Sequence, residues 1–275
     1  MAKAKSSFSE VQIVRRIKEG RGQGHGKDYF PWLTVQEVPS SGRSHRIYSQ
    51  KTGRVHHLLS DMELAVFLTL EWESSVIDIR EQYPLLRSDT KQIAIDSGIK
   101  HPAIRGVDQV MSTDFLVDCK DGPFEQFAIQ VKPFTALQDE RTLEKLELER
   151  RYWQQKQIPW YIFTDREVNP TVKENIEWLY SVKTIESVSK ELLTQLPILL
   201  NIFQEKADES IMNVCKQVDT AYGLELGETL NEVRVLAANG FIKFNIYKPF
   251  RSHTCADLRI STEVSMRGAS YVANQ

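Results

Sequence analysis

Hydrophobic and polar positions follow two different periods along the chain, and the change comes near residue 60. Before it, LTVQEVP, RSHRIYSQ and VHHLLS alternate as β-strands do, and the last two are separated by a KTGR turn. From Ser60 the apolar residues take a helical spacing, at Leu64, Phe67, Leu68 and Trp72. Ser60 and Glu63 also have the spacing of a capping box, so we expect a helix over 60–73.

The next segments predict a strand, a hairpin, a helix and a second strand. VIDIREQYPL has strand character, whereas 87–111 contains the breakers GIKHP and IRG and is expected to be a loop. Residues 113–132 predict a β-hairpin that turns at KDGP. A charged helix over 139–157 precedes IPWYIFT, a continuous apolar run typical of a buried strand. This order predicts an α/β fold with a mixed sheet flanked by helices.

Beyond residue 168 the pattern is mostly helical. Asn169 suits an N-cap and Pro170 the first helical position. Helices are expected over 171–183, 188–204, 208–222 and 227–239, and strands only at FIKFNIYKPF and CADLRIST. We therefore expect two domains, 1–168 and 169–275, the second mainly helical and similar to a winged helix.

The last predicted helix is poorly suited to reading DNA bases. ETLNEVRVLAANG carries Glu228 and Glu232 against Arg234, and acidic side chains disfavour entry into a DNA groove. We expect residues 169–275 to dock a partner protein instead.

Composition is that of a globular chain, with 41% hydrophobic and 26% charged residues. No apolar run approaches the roughly 20 residues that span a bilayer, so we expect no contact with a membrane. The N-terminus lacks the apolar core of a secretory signal, and three scattered cysteines suggest reduced intracellular thiols.

Basic residues are concentrated in two segments, although the formal net charge is −2. Segments 1–27 and 42–57 are rich in Lys and Arg, which suggests local phosphate contact. The alternative is a solvated arm and hairpin. The candidate DNA-binding residues are Arg15, Arg16, Lys27, Arg43, Arg46, Lys51, Arg54 and His57.

The predicted hairpin carries polar side chains suited to metal-assisted hydrolysis. Asp114 begins its first strand, and Gln130 and Lys132 share a face near the end of its second. Oxygen ligands suit Mg²⁺, which activates water and stabilises a leaving oxygen. Asp114 is expected to bridge metal ions, the Gln130 side-chain carbonyl to ligate one, and Lys132 to orient water or stabilise developing charge. Glu63, in the first turn of its helix, supplies a second carboxylate.

The same residues have simpler interpretations. An Asp and a Lys on a hairpin often form a solvated cross-strand pair. Glu63 is also explained as a helix-capping residue, and the two roles are compatible.

The spacing D-(x15)-QxK with an upstream helical Glu resembles the PD-(D/E)xK nucleases, which have the restriction-endonuclease-like fold. A closer resemblance, to the TnsA family of transposase endonuclease subunits, covers nearly the whole chain. It is carried by GRGQGHGKDY with PWLTVQEVPSSGRSHRIYS, by TGRVHHLLSD, by IAIDSGIKHP with IRGVDQVMSTDFLVD, and by QDERTLEKLELERRYWQQKQIPW. The family's catalytic pattern falls here on Glu63, Asp114, Gln130 and Lys132. Gln130 replaces an acid of the wider superfamily, and Thr113 replaces its proline.

The resemblance implies an endonuclease that depends on Mg²⁺, with Mn²⁺ as a substitute and two ions in each site. The implied metal ligands are Glu63, Asp114, Gln130 and Val131. Because Gln130 replaces an acid, we expect weakened metal binding and a site that assembles fully only with DNA or a partner.

The resemblance also implies a reaction and partners. Double-stranded transposon-end DNA is cut at the 5′ ends, while a partner recombinase cuts and joins the 3′ ends. An ATP-dependent regulator is the second partner, and the location is the bacterial cytoplasm, with nucleoid association when active. Two alternatives are a free-standing restriction or repair nuclease of the same fold and a non-catalytic DNA-binding assembly subunit.

Overall fold

The chain divides into two compact units, Met1–Val168 and Asn169–Gln275. A computed structural model describes residues 8–38, 43–49, 51–182 and 188–260. Among these, no helix is long and apolar enough to cross a membrane.

The first unit combines helices with short and long strands. Its α-helices are α1 (Glu10–Lys18), α2 (Asp61–Trp72), α3 (Arg87–Ser97) and α4 (Glu140–Gln155). Its strands are β1 (His45–Ser49), β2 (Arg54–Leu58), β3 (Val76–Pro84), β4 (Ala103–Ile104), β5 (Val107–Asp108), β6 (Ser112–Cys119), β7 (Gln126–Val131) and β8 (Trp160–Phe163).

A four-stranded sheet in the order β3-β6-β7-β8 forms the centre of this unit. The β3–β6 and β6–β7 pairs are antiparallel, and β7–β8 is parallel. The predicted mixed sheet is therefore confirmed. Phe115 pairs with Ile129 across the β6–β7 hairpin, which brings the following residue of β7, Gln130, beside Asp114.

Helices α3 and α4 cover part of the sheet with an apolar core. Burying such side chains stabilises a fold by about 1.5–3 kcal/mol each. The buried members of this cluster are Leu85, Ile93, Ala94, Leu116, Ala128, Leu148, Tyr152 and Trp153.

The segment before β1 lies against β3. Gly22 has φ +79°, and a Cβ atom there would lie 2.1 Å from Cγ of Pro84, so glycine allows the close approach. The hydroxyl of Tyr29 donates to the Glu81 carbonyl at 2.9 Å, and the Trp32 N–H donates to the Gln82 carbonyl at 3.1 Å. These contacts hold the segment beside two polar residues of β3.

Two predictions for the first unit are wrong. LTVQEVP is not a strand: its described part forms a turn in which Glu37 accepts bonds from the backbone and hydroxyl of Thr34. Segment 87–111 is not a loop, since it contains α3 and two short strands. The breakers lie after this helix, which ends at Gly98 with φ +67°.

The final strand of the sheet is also less buried than its apolar sequence predicts. Within the part of the chain that the structure describes, strand β8 pairs with β7 alone and forms an edge of the sheet. Tyr161 is 48% exposed. The apolar residues of β8 are partly covered by neighbouring side chains, and among the described residues the strand does not lie between two others.

The second unit is mainly helical, in agreement with the sequence. It contains α5 (Pro170–Tyr180), α6 (Lys190–Glu205), α7 (Ile211–Tyr222), α8 (Glu228–Ala238), β9 (Ile242–Lys243) and β10 (Arg259–Ile260). The side chain of Asn169 accepts bonds from the first turn of α5, as an N-cap does. Asn175 donates to the carbonyls of Ile246 and Lys248 at 2.9 Å, which fixes the chain after β9 against α5.

The strands of this unit are shorter than FIKFNIYKPF and CADLRIST predict. Among the described residues, two of each strand pair, and 3₁₀ turns at Phe250–Ser252 and Cys255–Asp257 take up part of the chain between them. Residues 261 and 262 of the second predicted strand, and residue 183 of a predicted helix, lie outside the described residues.

Candidate active site

The predicted polar residues of the β6–β7 hairpin meet at one point. Asp114 and Gln130 are both buried. Oδ2 of Asp114 accepts bonds from Nε2 of Gln130 and from the backbone N–H of Val131, each at 2.7 Å. In return, the Asp114 N–H donates to Oε1 of Gln130 at 3.3 Å. The carboxylate on β6 is therefore oriented by donors of β7.

Lys132 adds a positive charge to this carboxylate. Its Nζ lies 3.5 Å from Oδ2 of Asp114 and donates to the Val131 carbonyl at 2.9 Å. Its side chain is 31% exposed, so the ammonium has access to solvent. The carbonyl that the resemblance assigns to a metal ion is here bonded to Lys132.

Glu63 reaches the site from the first turn of α2. Ser60 caps this helix: its Oγ accepts a bond from the Glu63 N–H and donates to Glu63 Oε1, both at 3.1 Å. Oε2 accepts the N–H of Leu59 at 2.9 Å. A carboxylate is favoured at a helix N-terminus. Glu63 thus takes part in capping, and its side chain also faces the hairpin cluster through Gln82.

Gln82 of β3 connects the two carboxylates. Its Nε2 lies 3.3 Å from Glu63 Oε2 and 3.3 Å from Asp114 Oδ1. Gln82 is not recognisable as a site residue from the sequence, because a glutamine within a strand carries no distinctive spacing.

The charge in this site is only partly compensated. Burial, and then the negative charge of Asp114, raise the pKa of Glu63 to about 8, although bonds from Leu59 and Ser60 and the charge of Lys132 act the other way. Two close carboxylates with one half-buried lysine favour the binding of a proton or a cation.

A third carboxylate, also missed from the sequence, lies behind Thr113. The Thr113 hydroxyl donates to Glu149 Oε1 at 2.7 Å and accepts Nε1 of Trp153 at 2.7 Å, while Nε1 of Trp160 donates to the same Glu149 oxygen at 2.9 Å. Burial raises the pKa of Glu149 to about 8, and the nearby charge of Asp114 adds to the rise. Thr113, where the wider superfamily has proline, thus joins the strand of Asp114 to α4.

Two of the eight candidate DNA-binding residues are buried. Arg16 donates to the Trp32 carbonyl at 2.7 Å and to Glu37 at 2.9 Å. Arg54 donates to both oxygens of Glu81. Both guanidinium groups form ion pairs with carboxylates of the same unit. These ion pairs argue against the phosphate contacts predicted for Arg16 and Arg54.

Two more candidates are partly committed. Nζ of Lys51 donates to the carbonyls of Leu70 at 3.1 Å and Glu73 at 2.6 Å, at the C-terminal end of α2. His57 is half-buried, and burial lowers its pKa, which favours the neutral ring. The remaining candidates are exposed: Arg15, Lys27, Arg43 and Arg46.

A second cluster of potential metal ligands comprises His25, Asp78 and Asp118. Nδ1 of His25 lies 3.5 Å from Asp78 and 3.3 Å from Asp118. Arg80 already bonds Asp118 at 2.6 Å, and the Gly26 N–H bonds Asp78 at 3.0 Å. With a guanidinium present, these carboxylates have less need of a metal ion than those of Glu63 and Asp114.

Comparison with known proteins covers the whole chain. The family model for the TnsA-like endonuclease N terminal matches residues 73–165, which include Asp114, Gln130 and Lys132, and the model for the TnsA endonuclease C terminal matches 167–246. The chain is 82% identical over 274 residues to the transposon Tn7 transposition protein TnsA of Escherichia coli, with 100% of both chains covered. These matches confirm the resemblance found in the sequence. The protein belongs to the TnsA endonuclease family and is a nuclease of DNA transposition.

Proposed function

We propose that Glu63, Asp114, Gln130 and Lys132 form the catalytic centre of a Mg²⁺-dependent endonuclease that hydrolyses phosphodiester bonds at the 5′ ends of a transposon. Membership of an endonuclease family implies a divalent metal ion. The observation that carries the proposal is the meeting of the two carboxylates and the lysine, with a charge that the surrounding chain leaves partly uncompensated.

The donor set fits a hard divalent cation. Carboxylate oxygens of Glu63 and Asp114 are the ligands that Mg²⁺ prefers, and Mn²⁺ accepts the same set. The cation, when bound, supplies an activated water and stabilises charge on the leaving oxygen.

The contacts of Gln130 and Lys132 suggest separate tasks. Gln130 holds Asp114 through its NH₂ group, so it orients a ligand in addition to offering a carbonyl of its own. Lys132, partly exposed and beside Asp114, is suited to holding the attacking water and to offsetting developing negative charge.

Contacts with DNA and partners extend this proposal. Arg15, Lys27, Arg43 and Arg46 are the exposed cations that we propose to contact phosphates. A recombinase that cuts the 3′ ends and an ATP-dependent regulator are the proposed partners, with residues 169–275 as the docking part. Exposed apolar residues at the end of α7 and in its connection to α8 support docking there: Tyr222, Leu224 and Leu226.

The test is strand-resolved cleavage of end-labelled transposon-end DNA by the full chain with its partner proteins in Mg²⁺. Asp114→Asn is expected to abolish cuts at the 5′ ends and leave those at the 3′ ends. Asp118→Asn is the matched control, because it makes the same change on the same strand, outside the site, and is expected to retain both cuts.

Continued 5′ cleavage by a folded Asp114→Asn chain would make the hairpin a scaffold and the chain an assembly subunit. Efficient cutting by the isolated chain, without partners, would instead favour a free-standing nuclease.

A further inference from the structure

Gln82 is the one side chain of the described residues that hydrogen-bonds to both Glu63 and Asp114. Its NH₂ group lies 3.3 Å from an oxygen of each. The NH₂ donates to Asp114 Oδ1 and Glu63 Oε2, while Oε1 accepts the Ser112 hydroxyl at 3.4 Å. Gln82 itself is 2% exposed.

The backbone of β3 is distorted at this residue. Gln82 has φ +48°, a left-handed conformation that is uncommon for residues other than glycine. Its neighbours Glu81 and Tyr83 keep regular pairing with Phe115 and Thr113 of β6. The carbonyl of Gln82 accepts the Trp32 N–H at 3.1 Å, a bond to the segment that lies along β3. A left-handed conformation at a buried residue other than glycine is strained, and functional sites are where such strain tends to persist.

The other contacts of the two carboxylates come from separate sides. Asp114 is held through Oδ2 by Gln130, Val131 and Lys132. Glu63 is held by the first turn of its own helix. Without Gln82, these contacts would leave Oδ1 of Asp114 without a donor, and Oε2 of Glu63 would keep only the Leu59 N–H.

We propose that Gln82 is a positioning residue of the nuclease reaction, whose amide fixes the facing oxygens of Glu63 and Asp114 for a divalent cation. This inference rests on the proposed metal site. Strand β3 then contributes to the site in addition to the four residues of the family pattern. The left-handed backbone at Gln82 places its amide between the two acidic side chains.

Calorimetric titration of the full chain with Mn²⁺, without DNA, tests the inference directly. Gln82→Met preserves the length of the side chain but removes its donors, and is expected to weaken Mn²⁺ binding by about 10-fold, as loss of a group that orients metal ligands does. Gln126→Met is the matched control. Gln126 makes the same kind of bond, to Asp118 at 2.5 Å on the same sheet, and its loss is expected to leave Mn²⁺ affinity unchanged.

A second variant separates the amide from the backbone. Gln82→Gly removes the side chain and permits φ +48° without strain. It is expected to lose Mn²⁺ affinity as Gln82→Met does, and cleavage by both variants is expected to recover in part as Mn²⁺ is raised. Such recovery is not expected of a merely structural defect.

Three results would overturn the inference. Wild-type affinity in folded Gln82→Met or Gln82→Gly chains would remove the positioning role. Tighter binding would mean that the amide competes with the cation. A wild-type chain that binds no Mn²⁺ would reject the proposed metal site, and this inference with it, whereas the first two results leave that site intact.

Discussion

Two buried glutamates near β3, Glu81 and Glu63, have opposite electrostatic surroundings. Glu81 receives Arg54 on both oxygens, at 2.8 and 2.5 Å, and His56 at 2.9 Å. Burial alone would raise the pKa of Glu81, but these charges and bonds hold it well below its usual range. Glu63 faces Asp114 instead, and its pKa is raised to about 8.

The difference separates a structural cluster from a functional one. Around Glu81 each buried charge has a partner within the chain, and the cluster joins β2 to β3. Around Glu63 and Asp114 the balance is incomplete, and a group from outside the chain is needed to complete it. Burial of an acidic side chain therefore does not by itself indicate a functional site. A lack of opposite charge around the buried acid is the more informative observation.

The largest expected effect on stability is at Glu81. Glu81→Gln leaves Arg54 buried with no carboxylate, and removing one partner of a buried pair costs about 3–5 kcal/mol. Urea denaturation of the variant measures this loss. Glu10→Gln is the control, because Glu10 pairs with Arg87 at the surface, where ion pairs contribute little to stability. Equal losses at the two sites would remove the distinction drawn for Glu81.

A smaller change of opposite sign is expected at Glu63. Glu63→Gln removes a carboxylate that is costly to ionise, so the metal-free chain is expected to be as stable as wild type or more stable by about 1 kcal/mol. Cleavage is expected to fall to background, since a proposed metal ligand is lost. Thermal denaturation with and without Mn²⁺ measures the stability of each chain and the stabilisation by the ion: wild type gains stability from the ion and the variant gains less. Strand cleavage is measured separately. A strongly destabilised variant would show that Glu63 serves mainly to cap α2.

The change expected at Glu149 is near zero at pH 5 and grows with pH. The raised pKa of Glu149 means that the folded chain retains a proton that the unfolded chain releases above about pH 4.5. The free energy of unfolding contributed by this group therefore falls as pH rises from about 4.5 to 8, and is constant above. Glu149→Gln imitates the protonated form.

Thermal denaturation of the Glu149→Gln chain at several pH values is the measurement. We expect the variant to match wild type at pH 5 and to exceed it increasingly towards pH 8. Parallel pH profiles for the two chains would mean that Glu149 does not ionise in this range.

Much of the hairpin cluster could be predicted because local rules determine it. Alternation along each strand and a tight turn specify which residues lie opposite each other. The proximity of Asp114, Gln130 and Lys132 could therefore be predicted from the sequence. Gln82 and Glu149 could not. They belong to β3 and α4, and their approach to the hairpin depends on strand order and helix packing, which no short sequence pattern encodes.

The same limit applies to the basic residues. A count of Lys and Arg identified Arg16 and Arg54 as candidates for phosphate contact. Their partners, Glu37 and Glu81, are distant in sequence, and only the folded chain shows that these four charges neutralise one another. A high density of basic residues in a sequence indicates a basic surface only when no acidic side chain of the folded chain pairs with them.

The exposed turn that joins β6 to β7 has a consequence for how this gene tolerates insertions and deletions. Residues 120–125 are all exposed, while the site lies at the other end of the two strands. Length variation in the turn therefore leaves the opposed carboxylate and amide in register. Loss of one residue within either strand would shift that register and turn alternate side chains to the wrong face. We therefore expect insertions and deletions to be tolerated in the turn, and to abolish the site when they fall within either strand.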